Sequence, residues 1–325
     1  MDKLTEIRRP IEAELKAYRE LFEATLRTDN PLLQIALNHV LQRRGKLMRP
    51  ILTLLAAKYV GAVGEEVLHA AVALELLHTA SLVHDDVVDE SDRRRGQKSV
   101  NALLDNKAAV LVGDFLLSKA LYHSAATGSN RVVEWVSELG QTLSDGELLQ
   151  LANLDKTDIS EEDYFEVIRK KTASLFETCA KAGSFLANGG EEAVRQLTAF
   201  GLQVGLCFQL RDDLLDYDNL HDTGKPSGND MKEGKLTLPV IYALLSSGDK
   251  AMKTLALKVR RGEASDVEIA NLVCFTHEMG GIDYTKKILD KTGRVALSLL
   301  NSEGREKCIL DSLSEYVHFV VGRDL

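Results

Sequence analysis

The sequence has few of the residues that interrupt helices or cross-link a fold. Its five prolines lie at positions 10, 31, 50, 226 and 239, so none falls between 50 and 226. Because proline breaks a helix interior, that stretch can form long uninterrupted helices. The four cysteines, Cys179, Cys207, Cys274 and Cys308, are far apart and form no CxxC pair. This spacing predicts reduced thiols in a cytoplasmic protein, with neither a zinc site nor a disulfide framework.

An excess of positive charge is also missing. The formal net charge is -9, whereas a general nucleic-acid binder normally carries a basic stripe, so no nucleic-acid partner is predicted. The amino terminus has charges every few residues and lacks the apolar core of a secretory signal. No apolar run appears long enough to span a bilayer, so any membrane contact is predicted to be peripheral.

Apolar residues recur at three- and four-residue intervals along most of the chain. This period predicts helices over 65–90, 107–126, 130–154, 161–188 and 191–218. Breaks are predicted at 61–64, 127–130 and 188–190, and Ser160 with the acidic residues after it predicts a capped helix start. Alternating β-branched runs are absent, and no sheet is expected. The prediction is one all-α domain over residues 1–325.

Two segments end in the same acidic pattern, DDxxD. An apolar stretch leads into Asp85, Asp86 and Asp89, and a second leads into Asp212, Asp213 and Asp216. Positions i and i+4 of a helix lie 40° apart, so each set is predicted to stand on one side of a helix end. Like charges there repel each other and oppose the helix dipole. A solvated acidic helix end explains one copy, but two copies after matching apolar helices favour a hard cation, with Mg²⁺ shared with phosphates as the usual case.

Basic residues accompany both acidic segments. Three arginines, 93–95, follow the first, Lys46 and Arg49 lie upstream, Lys170 and Lys171 precede an apolar stretch, and Lys225 and Lys235 bracket the loop after the second. Each alone is more often a solvated surface charge. Together with paired carboxylates they indicate a diphosphate ligand, because Arg and Lys match phosphate oxygens.

These strings resemble the trans-isoprenyl diphosphate synthase (polyprenyl synthetase) family, and in particular its long-chain members of the octaprenyl diphosphate synthase kind. The matching segments are GKLMRP at 45–50, HDDVVDESDRRRG at 84–96, KKTASLF at 170–176, FQLRDDLLDY at 208–217 and TGKPSGNDMKEGKLTLP at 223–239. The resemblance implies an antiparallel helical bundle around a central cavity, a homodimer, and an Mg²⁺-dependent prenyltransferase. Such an enzyme adds isopentenyl diphosphate head to tail to an allylic diphosphate.

The resemblance also implies a role for each motif residue. The metal ligands would be Asp85, Asp86, Asp89, Asp212, Asp213 and Asp216. The first five of these, together with Lys171, would be the catalytic residues. Isopentenyl diphosphate would bind Gly45, Lys46, Arg49, His78 and Arg95. The allylic diphosphate would bind Arg94, Lys171, Thr172, Gln209, Lys225 and Lys235.

Product length is predicted from the residues before the first acidic segment. Ser81 lies one turn before Asp85, Ala80 stands beside it, and Leu77 continues an apolar lining. A bulky aromatic here marks the short-chain members of the resembling family. The small side chains therefore favour a medium or long, octaprenyl-like product that would serve as a quinone side chain. Close helix packing is the competing explanation for these small residues, and a farnesyl or geranylgeranyl product is the alternative.

Three other kinds of protein share parts of this pattern. A class I terpene cyclase usually lacks a second DDxxD. A ferritin-like di-metal bundle would use Glu66–His69 and Glu75–His78, but these pairs lie about 180° apart on one helix and cannot share a metal. A silent partner subunit normally loses one acidic segment, although an added small subunit stays open.

Overall fold

The computed structural model describes residues 3–42, 45–94, 96–154, 156–218 and 228–322. Within these ranges nearly every element is a helix, which confirms the all-α prediction. The first nine helices are α1 (Lys3–Arg8), α2 (Glu12–Thr25), α3 (Pro31–Gln42), α4 (Met48–Val60), α5 (Glu65–Val88), α6 (Val100–Leu103), α7 (Asn106–Ala126), α8 (Asn130–Leu154) and α9 (Glu161–Ile168). The others are α10 (Ser174–Leu186), α11 (Glu191–Asp218), α12 (Asn229–Lys232), α13 (Leu238–Ser247), α14 (Lys250–Arg260), α15 (Asp266–Glu278), α16 (Gly281–Ser298) and α17 (Lys307–Gly322). A 3₁₀ turn (Arg9–Ile11) joins α1 to α2, and a π-helical turn (Arg169–Ala173) joins α9 to α10.

The chain divides into two compact units. Unit 1 comprises Met1–Gln141, Leu175–Gly201 and Leu299–Tyr316, and unit 2 comprises Thr142–Ser174, Leu202–Ser298 and Val317–Leu325. The helices α8, α10, α11 and α17 each contribute residues to both. A single domain over 1–325 stays a prediction.

The helix boundaries agree with the turn chemistry of the sequence. The predicted breaks at 61–64 and 188–190 fall between helices. The break at 127–130 ends on Asn130, the first residue of α8, which spans the predicted 130–154. The hydroxyl of Ser160 accepts a hydrogen bond from the backbone N–H of Asp163 at 3.1 Å, which confirms the predicted cap of α9. The predicted helix over 161–188 is interrupted by the π turn, which the apolar spacing did not indicate.

A two-stranded hairpin departs from the expectation of no sheet. Strands β1 (Arg93–Arg94) and β2 (Gln97–Lys98) pair antiparallel, with Arg93 opposite Lys98. Gly96 in the turn has φ +77°, a left-handed conformation that glycine adopts without steric cost. Arg94 therefore lies in a strand, where successive side chains alternate in direction.

Helix α5 forms the core of unit 1. It is apolar on nearly all sides, and its buried residues include Val67, Leu74 and Leu76. It packs along α7 and also contacts α2 and α4. Contrary to the sequence-based expectation, α5 is long and apolar enough to cross a bilayer, but 56% of the apolar window is buried inside the protein, as in the core helix of a folded domain. The last turn of α5 carries Asp85 and Asp86, and Asp89 follows as its C-cap residue.

Candidate active site

The first acidic segment places its three carboxylates in different environments. Asp85 is half-buried, Asp89 is exposed, and Asp86 is buried with 1% of its surface exposed. The backbone N–H of Asp89 bonds to the Asp85 carbonyl at 2.8 Å, so these two stand one turn apart as predicted. Asp86 does not share their side of the helix, because one residue rotates the side chain by about 100°.

Asp86 is paired with a predicted diphosphate ligand. Nε of Arg94 donates to Oδ1 of Asp86 at 2.6 Å, and the amide of Asn101 donates to the Asp86 carbonyl at 3.2 Å. A buried carboxylate needs such a partner, since desolvation of an unpaired charge is costly. The guanidinium has five N–H donors, and this bond uses one of them. Hairpin β1–β2 thus holds Arg94 beside the first acidic segment.

The second acidic segment repeats this division. Asp212 is exposed, Asp216 is half-buried, and Asp213 is 2% exposed. The hydroxyl of Tyr164 donates a hydrogen bond to Oδ2 of Asp213, and Nε2 of Gln209 donates to Oδ1 at 2.8 Å. Both oxygens of this carboxylate therefore have protein donors. The expectation that all three carboxylates stand on one side of the helix end is wrong here too.

Asp216 serves as the cap of a short helix. Its two carboxylate oxygens accept the backbone N–H groups of Asn229 (3.0 Å) and Asp230 (3.1 Å), at the start of α12. A carboxylate at this end of a helix satisfies orphan N–H groups. The contact brings Asp230, which the sequence reasoning did not single out, next to the second acidic segment.

Burial and mutual repulsion act together on these acidic groups. Burial raises the pKa of Asp213, and the charges of Asp212 and Asp216 raise it further, while the bonds from Tyr164 and Gln209 lower it. Burial likewise raises the pKa of Asp216 and, more strongly, that of Asp230. Each charged form is therefore disfavoured by its surroundings, and a cation nearby would relieve this cost.

The donor set fits a hard divalent cation. Among the described residues no three acidic, histidine or cysteine side chains are grouped closely enough to hold a metal ion as they stand. The ligand types nevertheless fit such a cation, because Mg²⁺ and Ca²⁺ prefer carboxylate oxygens to histidine or cysteine. Asp85, Asp89, Asp212 and Asp216 are the carboxylates that are not fully buried. In each unit these carboxylates would hold a metal ion, which would neutralise diphosphate oxygens.

A cavity of about 200 Å³ lies in unit 2 beside the second acidic segment. It brings together five residues assigned from the sequence: Lys171, Thr172, Gln209, Asp213 and Lys235. Its lining also includes residues that were not predicted from the sequence, namely Gln150, Asn153, Tyr164, Asp230 and Arg260. Cationic and anionic groups line the same space. Such a lining suits an anion that binds together with a metal ion.

The two neighbouring lysines of unit 2 have different surroundings. Lys170 pairs with Asp145 and Glu166 at 2.8 and 2.9 Å, as an ordinary surface ion pair. Lys171 lines the cavity, where its Nζ contacts Glu147 at 2.7 Å and Gln150 at 3.1 Å. Lys171, the lysine assigned as a diphosphate ligand, is therefore the one of the two that lines the cavity.

The π turn that carries Lys171 and Thr172 is closely approached by α11. A Cβ on Gly205 would lie 2.5 Å from the Cα of Ala173, so only glycine allows this approach. Across it, the Thr172 hydroxyl donates to Oε1 of Gln209 at 2.7 Å. π-helical turns occur frequently at functional sites.

A smaller cavity of about 70 Å³ lies in unit 1 beside the first acidic segment. Its lining includes Gly45, His78, Asp86 and Arg94, all assigned from the sequence. Lys46 and Arg49 are not among the described residues that line it. Arg49 instead lies over the ring of Phe176, 4.9 Å from its centroid. Lys46 is exposed, and its carbonyl accepts a hydrogen bond from Arg8 at 2.7 Å.

The residues proposed to set product length lie on α5. Ala80 and Leu77 are buried at 2% and 5% exposure, and Ser81 is half-buried. The Ser81 hydroxyl donates to the carbonyl of His78 at 2.9 Å, within the same helix. None of the three projects an aromatic ring. Their role in product length stays a prediction.

Two assigned residues, Arg95 and Lys225, lie outside the described residues. The missed residue Tyr164 had no signal in the sequence, because a tyrosine in the first turn of an amphipathic helix usually packs in the core. Asp230 lies inside the family-matching string at 223–239, but no role was assigned to it, because the polar composition of this stretch indicated a loop.

Comparison with known proteins agrees with the geometry. Residues 30–297 match the polyprenyl synthetase family model. The chain is 36% identical over 276 residues to octaprenyl diphosphate synthase of Escherichia coli (strain K12), covering 85% of each chain. It also matches a solved geranylgeranyl pyrophosphate synthase from Bacteroides thetaiotaomicron (TM-score 0.87, 44% identity, 99% and 100% coverage). A polyprenyl synthase from Caulobacter crescentus CB15, solved with calcium and isoprenyl diphosphate, matches with TM-score 0.91, 31% identity and 98% coverage of both chains. The chain belongs to the polyprenyl synthetase family and is an all-α prenyltransferase of the trans-prenyl diphosphate synthase type.

Proposed function

We propose that the protein condenses isopentenyl diphosphate with an allylic diphosphate in a Mg²⁺-dependent reaction and repeats this step to a medium or long chain. The cavity in unit 2 carries the proposal, because Lys171 and Lys235 line it together with Asp213 and Asp230. A diphosphate bound with a divalent metal requires both signs of charge. The family generally depends on a divalent metal, and the calcium in the Caulobacter structure is consistent with such a site.

The residues of the chain have distinct tasks in this proposal. Lys171 and Lys235 neutralise the allylic diphosphate, and Arg94 offers the forked donors that match its oxygens. Isopentenyl diphosphate is assigned to the residues Gly45, Lys46, Arg49, His78 and Arg95. Bound metal supplies further stabilisation of the leaving diphosphate.

The covalent change is a substitution at the allylic carbon. The bond between C1 of the allylic substrate and its diphosphate oxygen breaks, and the alkene carbon C4 of isopentenyl diphosphate bonds to C1. A proton then leaves C2 of the isopentenyl unit, and the released diphosphate is a suitable base. The cationic side chains favour departure of the diphosphate, because charge develops on it in the transition state.

A long product is supported by the small side chains on α5. Ala80 and Ser81 lie one turn before Asp85 and cannot form an aromatic floor. The Escherichia coli relative is an octaprenyl diphosphate synthase, and a quinone side chain is the proposed use of such a product. A geranylgeranyl product is the second candidate, favoured by the 44% identity to the Bacteroides enzyme.

The proposed assembly is a homodimer in the cytoplasm, with peripheral membrane contact for product release. Exposed apolar residues on α7 support a partner surface: Val110, Leu111, Leu121 and Tyr122 are 41–68% exposed. Light scattering of the purified protein would show a mass near twice 35.8 kDa, and a monomer would contradict the dimer.

The activity is tested with radiolabelled isopentenyl diphosphate and farnesyl diphosphate. Products are dephosphorylated and sized by reversed-phase thin-layer chromatography, with MgCl₂ or with EDTA. We expect apolar labelled products with MgCl₂ only. Absence of product with every allylic primer, or equal product in EDTA, would contradict the proposal. A ladder that stops at twenty carbons would select the geranylgeranyl candidate.

A further inference from the structure

Tyr164 contacts the second acidic segment but belongs to none of the family motifs quoted above. It belongs to α9, and its hydroxyl donates to Oδ2 of Asp213, with 7% and 2% of the two residues exposed. We propose that Tyr164 is a positioning residue: it fixes the Asp213 carboxylate so that Asp212 and Asp216 are ordered for metal binding. The inference rests on the proposed function, because it concerns the same metal.

The opposite oxygen of Asp213 is held independently. Nε2 of Gln209 donates to Oδ1 at 2.8 Å, and Oε1 of Gln209 accepts the Thr172 hydroxyl at 2.7 Å. A carboxylate bonded through both oxygens has a fixed plane. Removing the tyrosine hydroxyl leaves Asp213 with one of these two donors, and the carboxylate can then rotate about its side-chain bonds.

The charges around Asp213 make this restraint matter. Asp212, Asp216 and Asp230 all act on its carboxyl group, so an unrestrained carboxylate is driven away from its neighbours. A phenol hydroxyl is protonated at neutral pH and a carboxylate only accepts, so the Tyr164 hydroxyl is the donor in this bond. When a buried carboxylate loses a donor, one of its oxygens is left desolvated without a hydrogen bond, which is destabilising.

Helix α9 is anchored by contacts that do not involve the Tyr164 hydroxyl. Ser160 caps its first turn, and the hydroxyl of Tyr284 donates to Oε2 of Glu161 at 2.9 Å. The ring of Tyr284 is stacked on Tyr242 with centroids 3.9 Å apart. Replacing Tyr164 by phenylalanine therefore leaves α9 in place and removes only the bond to Asp213.

The matched control is provided by Tyr284. Tyr284→Phe also deletes a tyrosine hydroxyl that bonds a carboxylate. That carboxylate, Glu161 on α9, is not part of the second acidic segment. Isothermal titration calorimetry measures the Kd of Mn²⁺ in the presence of inorganic pyrophosphate, with the melting temperature recorded for each variant. We expect Tyr164→Phe to raise this Kd about ten-fold, as for one lost charge-assisted bond, and Tyr284→Phe to leave it unchanged.

A double-mutant cycle tests whether Tyr164 acts through Asp213. In an Asp213→Asn background, Tyr164→Phe should add little to the Kd, because the two changes remove one interaction. If Tyr164→Phe does not fold, Asp213→Asn alone has to weaken Mn²⁺ binding by a similar factor. A wild-type Kd in Tyr164→Phe, equal weakening in Tyr284→Phe, or additive effects in the cycle would overturn the inference. Failure of the wild-type protein to bind Mn²⁺ with pyrophosphate would instead overturn the proposed function.

Discussion

Nε of Arg94 donates to Oδ1 of Asp86 at 2.6 Å, across the turn that joins helix α5 to the hairpin. The bond fixes a guanidinium beside the first acidic segment and satisfies a carboxylate that is 1% exposed. Lysine would keep the charge but lose the planar fork, so it could not bond Asp86 and a diphosphate in the same geometry.

Arg94→Lys is therefore expected to raise the KM for the allylic diphosphate about ten-fold, with a much smaller effect on the KM for isopentenyl diphosphate. Arg93→Lys is the matched control, because Arg93 is the exposed neighbour in the same strand. Arg95→Lys should raise the KM for isopentenyl diphosphate instead. Steady-state kinetics with each substrate varied in turn measures all three, and equal effects of Arg94→Lys and Arg95→Lys on both substrates would contradict the assignment.

Much of the fold could be predicted because its signals are local. The helix over 130–154, the breaks between helices and the Ser160 cap follow from apolar spacing and turn residues that lie next to each other in the chain. The π turn at Arg169–Ala173 had no such signal, and its close contact with Gly205 comes from a helix that is distant in the sequence.

The candidate site was predictable in its residue types and less so in its geometry. Six carboxylates could be found from the two DDxxD patterns alone. The burial of Asp86 and Asp213 could not be predicted from these patterns. It depends on partners that only the fold brings near, such as Tyr164, which is 49 positions from Asp213. Long-range pairs of this kind leave no periodic pattern in one sequence.

Product length should respond to the side chains one turn before the first acidic segment. Ala80→Phe or Ser81→Phe places an aromatic ring where α5 now carries small side chains, and is expected to shorten the product to farnesyl or geranylgeranyl diphosphate. Ala80→Val is the control, since it adds volume without a ring. Mass spectrometry of the dephosphorylated products measures the length. Phe variants that make wild-type products, or a wild type that stops at farnesyl diphosphate, would refute this role for α5.

The pH dependence of stability should reflect a buried histidine away from the active site. His123 is 3% exposed and contacts Thr25 Oγ1 at 2.8 Å and His69 Nδ1 at 2.7 Å. Burial, followed by the charges of His69 and Lys119, lowers its pKa from 6.5 to about 4. Between these values the unfolded chain binds the extra proton, so the free energy of unfolding falls as pH decreases from 6.5 towards 4.

The shifted pKa of His123 is expected to lower the free energy of unfolding by about 1–2 kcal/mol at pH 5 relative to pH 7.5. His123→Gln should lower stability at pH 7.5 and flatten the loss between pH 7.5 and 5. The exposed His318→Gln is the control and should retain the wild-type slope. Urea denaturation followed by circular dichroism measures both, and an unchanged slope in His123→Gln would argue against a neutral buried His123.

We propose that catalysis depends on a divalent metal and on the carboxylates of both acidic segments. Turnover of Asp85→Ala and Asp212→Ala, measured with saturating substrates and MgCl₂ alongside their circular dichroism spectra, tests it most directly. Loss of either carboxylate should lower kcat by a factor on the order of 10³ or more while helicity stays at the wild-type level. Near-wild-type turnover in either folded variant would contradict the claim.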